Sequence, residues 1–585
     1  MKKRSKNDLL FDFDSVSTKL NHYITRDLSK AHADACSKKE IVPSTKLYMA
    51  TQISHTLKQY VKQSCSGEED EKAKKTYKKF YGVNDHISNF SARDISFPSI
   101  NRRVTSSGDV SDKILIRARA IVHSLLTPFT QKEWDLACRN SKGSSIGVPY
   151  VDTSDERKFK YPISCTVRVK RLFNYYLQGD SRLRAALTTL NEGNSSEIYD
   201  VVKGSRATTV PKNDDVRRFI AIEPTLNMFF QQGLMEMMYK RMKSKFLDVN
   251  SLPDIHRKLA YESSITSRNA TIDFSQASDC TSIDLARFLL PRQWFHAIDQ
   301  TRSPTITIDG VVEELNMIST MGNAVTFPLE TIIFWALGHA SVLEDQGSNT
   351  LFPEWEDLRR VSVFGDDCIL PTENAQTFMN VCEYVGYIVN KEKSFYDQKG
   401  FRESCGGDYY RGVDVRPFHL KSPNSNRKSS IEPWLYTCVN KVLKKYIQYF
   451  GPLTYVYDKE FFRYIFYLFD EIGVAVKPVP PYFPDDSGLK TVDLDRLAKA
   501  YRITLSPVFS DKHGTKRFHF CNFRYRSYEK RSDDLKYTLW LRRPAITSAS
   551  IVSRRRKVSI PRNEDVFDRR VGSYVVGVGL ASDWS

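Results

Sequence analysis

The ten cysteines (Cys36, Cys65, Cys138, Cys165, Cys280, Cys368, Cys382, Cys405, Cys438 and Cys521) include no C-x-x-C pair. Neither a zinc ribbon nor a disulfide framework is therefore indicated, and scattered thiols suit a reducing compartment. The basic start, Met1-Lys2-Lys3-Arg4-Ser5-Lys6, is not followed by the apolar core of a signal peptide. The most apolar long stretch, around Met321 to Val342, is broken by Glu330 and His339 and reads as too short to span a bilayer as a helix. No internal repeat of about 20 to 50 residues occurs, which argues against a solenoid. These absences lead us to expect a cytosolic protein without a membrane anchor of its own.

Acidic residues are the minority: 69 Asp+Glu against 87 Lys+Arg leave a formal charge of +18 and a pI near 9.2. Such a surplus favours a polyanionic partner, nucleic acid or an anionic membrane surface, although a merely basic soluble protein has the same arithmetic. The surplus is uneven, with 18 basic and 8 acidic residues from Tyr501 to Ser585. The 585 residues, 41% hydrophobic and 12% aromatic, exceed one core, fit roughly three or four subdomains, and rule out a mostly disordered chain.

Along the chain, Glu68 to Glu71 followed by Lys72, Lys74, Lys75, Lys78 and Lys79 predicts a solvated, charge-paired helix. From Thr208 to about Pro417 short β-rich runs alternate with turns and amphipathic helices. The Pro-rich run Lys477 to Pro481, continuing into Phe483 to Gly488, predicts a linker or surface loop.

Two places put acids where a fold normally buries apolar groups. Ala270 to Ile272 reads as a strand ending on Asp273, and Asp279 follows at the head of a helix through Ile283, Leu285, Phe288 and Leu289. The second is Val361 to Leu370, where two apolar runs flank Gly365-Asp366-Asp367 and predict a tight hairpin with both acids at its tip. Taken singly, Gly-Asp-Asp is a common surface turn, Asp273 a loop acid and Asp279 a helix cap. As a set they suit phosphoryl transfer by two divalent ions about 3.5–4 Å apart, which needs several carboxylates converging on one point. Mg²⁺ is the expected ion, with Mn²⁺ as its alternative, because hard oxygen ligands favour both.

Further members follow in order. Ser319-Thr320-Met321-Gly322-Asn323 is a glycine turn before an apolar helix from Leu329 onward; with Asp279, Asn323 can hydrogen-bond a ribose 2′-hydroxyl, or the turn is simply a helix entry. Upstream, Thr209 to Pro224 alternates in strand fashion. Lys212, Arg217 and Arg218 can there clamp a triphosphate, or line an ordinary exposed strand face. Downstream, Lys391 and Lys393 follow a β-run, Tyr387 to Val389; a lysine there can protonate departing pyrophosphate, or both are plain surface lysines. In the tail, Lys516 to Arg526 interleaves cations with aromatics, and Arg554, Arg555, Arg556 and Lys557 form a compact run. Arg524, Arg526 and that run are candidate RNA contacts, with a half-buried strand and a solvated cluster as the alternative.

This order resembles the motif series of viral RNA-dependent RNA polymerases. The segment Phe401 to Phe418, together with Val210 to Asn213, Ile220 to Pro224 and Ser319 to Asn323, is similar to the replicase β subunit of the small positive-strand RNA bacteriophages. The resemblance implies an α+β right-hand fold with its palm on an antiparallel sheet. It places the N-terminal region and part of the fingers in 1–205, fingers with a basic NTP-entry strand in 206–258, the palm in 259–418, and thumb and basic C-terminal region in 419–585. Asp273, Asp366 and Asp367 become metal ligands, and Lys212, Arg217, Arg218, Asp279, Ser319, Gly322 and Asn323 the nucleotide and ribose contacts. It implies action in the host bacterial cytoplasm on template RNA and nucleoside triphosphates, with host elongation factors Tu and Ts and ribosomal protein S1 as partners. A reverse transcriptase is one rival, disfavoured by Gly365 and the Asp279/Asn323 pair. A basic RNA-packaging protein is another, and it has no use for three acids inside a β-rich core.

Overall fold

The computed structural model describes Lys19, His22, Tyr23 and residues 66–90, 102–105, 108–141, 143–149, 157–159, 162–190, 198–212, 216–416, 428–450, 460–490, 494–507, 509–510, 516–524 and 573–580. Helices and strands are mixed, and the buried apolar side chains fall into two clusters. The larger runs from Phe80 to Val389 and the smaller from Val415 to Cys521.

The first core is organised around the helix Thr326–Asp345, apolar on every side and almost wholly buried. A helix without a polar face must be enclosed, and Asp112–Leu126 and Ala375–Tyr384 pack against this one. Its length corrects the sequence expectation: at 20 residues it is long and apolar enough to cross a membrane, and here protein surrounds it. It also begins three residues before Leu329. Gly338 permits the close pass of Val361, whose Cγ1 would lie 2.7 Å from an added Cβ. Phe334 stacks on Phe274 at 4.3 Å and meets Tyr387 at 4.5 Å, tying the helix to the strands that carry the acids.

Those strands form a three-stranded antiparallel sheet ordered Ser362–Phe364, Asp367–Pro371, Asn269–Ile272. Cys368 pairs with Ile272 and Phe364 with Asp367, so the register places Asp273 beside the Gly365–Asp366 turn. The short strands Phe274–Ser275 and Ile388–Val389 pair antiparallel just beyond. A second sheet is ordered Val311–Glu314, Thr305–Ile308, Ser205–Pro211, Arg217–Ile222, and its last two strands form the basic hairpin anticipated around Lys212. The helix Leu252–Thr266 packs against Phe401–Ser404 and Gly407–Tyr410, strands of a third sheet.

In the second core, the helices Lys428–Phe450, Glu460–Glu471 and Leu494–Tyr501 surround the segment expected to be a linker. That expectation holds for the middle of the run, where Pro481, Tyr482 and Pro484 form an exposed turn, and fails at its start. Val476, Lys477 and Val479 are buried, Val479 N–H donates to Leu489 O at 3.0 Å, and Lys477 forms a buried ion pair with Glu432. Prolines broke the helical and strand patterns as the sequence suggested. The valines between them still gain more from burial than the irregular backbone costs. The strand expected from Lys516 is present as Lys516–Arg524, antiparallel to Ser573–Leu580, and the helix expected over the Glu68–Lys79 charge run spans Ser66–His86.

Candidate active site

Asp273 directly follows Asn269–Ile272, as the β-run predicted. Its position is fixed from the other side of the short two-stranded pairing. Asn390 N–H donates to Asp273 O at 2.9 Å, Asn390 Nδ2 donates to Asp273 Oδ2 at 2.8 Å, and Asp273 N–H donates to Ser394 Oγ at 3.2 Å. Gly365 and Asp366 make the two-residue turn of the acidic hairpin, with Gly365 at φ +63° and its N–H donating to Thr331 Oγ1 at 3.0 Å. A positive φ at the first turn position is what glycine supplies in tight hairpins. The structure thus puts only Asp366 at the tip, because Asp367 is already the first residue of the following strand.

Asp367 turns toward the third sheet. Its Oδ1 accepts from Ser404 Oγ at 3.3 Å and its Oδ2 from Cys405 N–H at 3.2 Å. Cys405 can offer that N–H because it and Gly406 occupy the two-residue turn between Phe401–Ser404 and Gly407–Tyr410, both at positive φ (44° and 73°). Burial and the neighbouring Asp366 push both Asp273 and Asp367 up to about 6; Lys393 and Asn390 oppose the rise at Asp273, and the Cys405 contact at Asp367. Asp366 is raised as well, first by desolvation, with Lys212, Arg218 and Lys393 pulling it back. Asp366 is exposed as a residue, yet desolvation by the surrounding protein is the first cause of its rise.

Three cations face this group of acids, and alternation along the strand decides which. Arg218 and Lys212 act on Asp366, and Lys393 on both Asp273 and Asp366. Desolvation, then Lys393 and Arg218, hold the Lys212 ammonium below its ordinary range, although Lys212 is exposed as a residue. Arg217 points the other way: its Nε donates to Thr209 Oγ1 at 2.6 Å and its Nη2 to Thr209 O at 2.8 Å. Lys391 is exposed in the turn that carries Lys393.

Asp279 is buried in a short 3₁₀ turn, Ala277–Asp279, rather than at the head of the helix Ile283–Leu289. Ser282 caps that helix, its Oγ accepting from Leu285 N–H at 3.1 Å. Asp279 Oδ1 instead accepts from Met321 N–H at 3.1 Å, and burial pushes its carboxyl up to about 7. The Ser319–Asn323 turn is thereby held from below, while Met321 O accepts from Ala221 N–H at 2.7 Å on the basic strand. Gly322, at φ +128°, is obligatory there, since an added Cβ would lie 2.0 Å from Ala221 O. Asn323 is buried with Ser319, and its Oδ1 accepts from Val325 N–H at 3.0 Å, closing the entry to the central helix. The structure therefore joins the turn to the basic hairpin and to the strand-end acids in one region.

Sequence reasoning missed several participants. Asn390 lay within a run noted only for its lysines. Glu330 was taken merely as an interruption, yet it is buried beneath the acids, with Asp366 and Asp279 adding to the desolvation that raises it well above the ordinary range. His256 and Ser404 were not marked. A histidine one turn from both Leu252 and Ala260 on a helix is the one signal that was available. Arg524 is described only in its backbone, within Lys516–Arg524, and Arg526, Arg554, Arg555, Arg556 and Lys557 lie outside the described residues.

Among the described residues, no three His, Cys, Asp or Glu side chains already form a metal-holding group. The donor chemistry nonetheless fits a hard divalent ion. Asp273 and Asp366 are desolvated carboxylates in one another's field, and Mg²⁺ commonly takes one or two carboxylates with water and phosphate completing its shell.

A family profile described as RNA replicase, beta-chain, matches residues 13–432. The RNA-directed RNA polymerase subunit beta of Enterobacteria phage SP is 37% identical over 291 residues, covering 49% of this chain and 46% of that protein. The subunit of the same name from Escherichia virus Qbeta is 39% identical over 285 residues, covering 48% of this chain and 44% of that one. The chain thus spans about half the length of these curated relatives. Among solved structures, the RNA-dependent RNA polymerase of bacteriophage phi12 is 12% identical with a TM-score of 0.33, over 67% of this chain and 75% of that one. The profile covers well over half of the sequence and includes the strand-end acid, the glycine turn and the acidic hairpin, so the chain belongs to the RNA replicase beta-chain family.

Proposed function

We propose that this chain is the catalytic subunit of a phage replicase, an RNA-dependent RNA polymerase that copies a positive-strand RNA genome by two-metal nucleotidyl transfer. One observation carries the reading: Asp273, at the end of one strand, and Asp366, in the turn of the neighbouring hairpin, come together, and Lys212, Arg218 and Lys393 face them. Acids beside cations suit a substrate that is both metal-bound and phosphorylated.

Asp273 and Asp366 would hold the ions, with Asp367 oriented beside them. When bound, Mg²⁺ or Mn²⁺ would supply activation of the attacking 3′-hydroxyl and neutralisation of the leaving pyrophosphate. Arg218 and Lys212 bind the triphosphate, and the adjacent strand residue Arg217 keeps their hairpin rigid through Thr209. Lys393 stands where a proton can pass to pyrophosphate, with Lys391 a second source in the same turn. Asp279 fixes the glycine turn so that the Asn323 amide can meet a ribose 2′-hydroxyl. Arg524, Arg526 and Arg554 to Lys557 would meet RNA phosphates.

In this reading 1–205 supplies the N-terminal region and part of the fingers, 206–258 the fingers with the basic NTP-entry strand, 259–418 the palm and 419–585 the thumb with the basic C-terminal region. The antiparallel sheet bearing the acids lies within 259–418, and the second core lies almost entirely within 419–585. Work in the host bacterial cytoplasm with elongation factors Tu and Ts and ribosomal protein S1 completes the proposal. The test is to express the chain in bacteria, purify it with whatever accompanies it, and supply an RNA template, Mg²⁺ and labelled nucleotides. Ribonucleotide incorporation is expected. Deoxyribonucleotide incorporation would favour a reverse transcriptase, and RNA binding without either would favour a packaging protein.

A further inference from the structure

His256 lies on the helix Leu252–Thr266 with its ring completely buried. Both ring nitrogens are engaged: Nδ1 with Ser404 Oγ at 2.9 Å and Nε2 with Ser362 Oγ at 2.9 Å. Ser404 Oγ in turn reaches Asp367 Oδ1 at 3.3 Å. Three segments far apart in sequence therefore meet in one line: the helix, the third sheet, and the acidic hairpin, which contributes Ser362 at one end and Asp367 at the other.

The polarity of that line is determined by proton counting. Burial pushes the His256 imidazole down to about 4, so it is neutral at physiological pH, with one ring nitrogen donating and the other accepting. Ionised Asp367 has only lone pairs to offer, so the single Ser404 hydroxyl proton points at Oδ1. Ser404 must then accept from His256, which requires Nδ1–H. Nε2 is left as an acceptor and takes the Ser362 hydroxyl proton. Every donor in the chain thus points toward Asp367. In the other tautomer the Ser404 proton would turn back to Nδ1, and Oδ1 would lose its donor.

We propose that His256 is a positioning residue for the metal centre: as the Nδ1–H tautomer, with Ser362 donating to its Nε2, it orients Ser404, and through Ser404 it fixes the carboxylate of Asp367 beside Asp366. The role rests on the polymerase reading only in that the ions placed at Asp273 and Asp366 are those of nucleotidyl transfer. It touches no substrate and donates no proton in the reaction. Its effect is to keep an acid that Asp366 would repel from swinging away, much as outer partners fix the ligands of other metal sites.

Two amide variants separate positioning from simple packing. The amide nitrogen of His256→Asn lies where Nδ1 does and can still donate to Ser404. That of His256→Gln reaches toward Ser362 and leaves Ser404 without its donor. Both remove the same ring, so packing loss is common to the two. Ser404→Ala removes the last link with a far smaller change in volume. Binding of Mn²⁺ alone, followed by electron paramagnetic resonance of the unbound ion, gives a readout independent of turnover. The Mg²⁺ dependence of ribonucleotide incorporation gives the second.

His256→Gln and Ser404→Ala should each weaken Mn²⁺ binding about 10- to 100-fold and raise the Mg²⁺ needed for half-maximal incorporation, the range typical of lost outer partners. His256→Asn should recover most of that loss. Wild-type Mn²⁺ affinity in folded His256→Gln and in Ser404→Ala overturns the proposal, as does equal weakening in the Asn and Gln variants. Should His256→Gln not fold, Ser404→Ala alone decides. If the wild-type chain binds Mn²⁺ but incorporates no nucleotide, the polymerase reading fails, while the Mn²⁺ series still supports or overturns the relay.

Discussion

Asn390 holds Asp273 at two points: its backbone N–H reaches Asp273 O at 2.9 Å and its side-chain Nδ2 reaches Asp273 Oδ2 at 2.8 Å. The double contact fixes both the height of the strand end and the rotation of the carboxylate. One oxygen is committed to the amide, which biases the other toward the space shared with Asp366. A half-buried acid aimed in this way is poised to bind a cation, and the amide provides the aim.

The first prediction separates aim from charge. Asp366→Asn removes a ligand charge at constant size and should lower polymerisation by several orders of magnitude while template binding persists. Asn390→Ala leaves every charge in place and should cost about 10- to 100-fold, with a raised Mg²⁺ requirement. Single-nucleotide incorporation at several Mg²⁺ concentrations measures both. Near-normal turnover in Asp366→Asn would remove the metal assignment altogether.

A second prediction concerns pH and a buried acid remote from the chemistry. Glu223 is fully enclosed, its Oε2 accepting from Ser303 Oγ at 2.8 Å and from Gln231 Nε2 at 3.3 Å. Desolvation outweighs both contacts and pushes the carboxyl up to about 7 from an ordinary 4.5. Between those values the folded protein keeps a proton that the unfolded chain releases. Its contribution to stability is therefore complete below pH 4.5 and lost as pH rises through about 7. Glu223→Gln should match the wild type near pH 4 and exceed it at pH 8 by a margin on the order of 3 kcal/mol. Denaturant unfolding at the two pH values tests this, and parallel pH profiles would mean that Glu223 is ionised when folded.

What the sequence made legible is local. Asp273 at a strand end and Gly365 opening a hairpin follow from alternation and turn chemistry, both readable within ten residues. The contacts that aim the acids come from afar: Asn390 is 117 residues from Asp273, and His256 is 148 from Ser404. No periodicity encodes such pairs; tertiary packing creates them. Lys477 failed as a linker residue for a related reason, since its burial depends on Glu432, 45 positions away. The separation of Arg217 from Arg218, by contrast, was legible in principle, because neighbours on a strand face opposite ways.

The third prediction tests the glycine turn. Gly322→Ala demands a backbone at φ +128° from a residue with a Cβ, and sets that Cβ 2.0 Å from Ala221 O. The strained conformation alone costs about 1–3 kcal/mol. Relief requires the turn to move off the strand Arg217–Ile222, breaking the 2.7 Å bond from Ala221 N–H to Met321 O. A lower melting temperature should accompany a raised KM for every nucleotide, because the strand carrying Arg218 moves with the turn. A drop in stability with unchanged KM would separate the turn from nucleotide binding.

The last prediction uses that strand's two arginines as one another's control. Arg217 spends its guanidinium on Thr209 across the hairpin, whereas Arg218 lies in the field of Asp366 and Lys212. Arg218→Ala should raise the KM for nucleoside triphosphates and leave unfolding nearly untouched, since an exposed side chain away from packing changes stability by only about 0.5 kcal/mol. Arg217→Ala should act chiefly on the hairpin itself, losing two hydrogen bonds of about 1 kcal/mol each with a smaller shift in KM. Arg218→Lys sharpens the test: a single ammonium retains the charge but not the planar fork, so partial recovery of KM points to charge and no recovery to bidentate binding of phosphate. Steady-state kinetics paired with denaturant unfolding of the three variants reads both effects. If Arg217→Ala raises KM as much as Arg218→Ala does, the strand binds nucleotide through its shape, and the facing of its side chains is irrelevant.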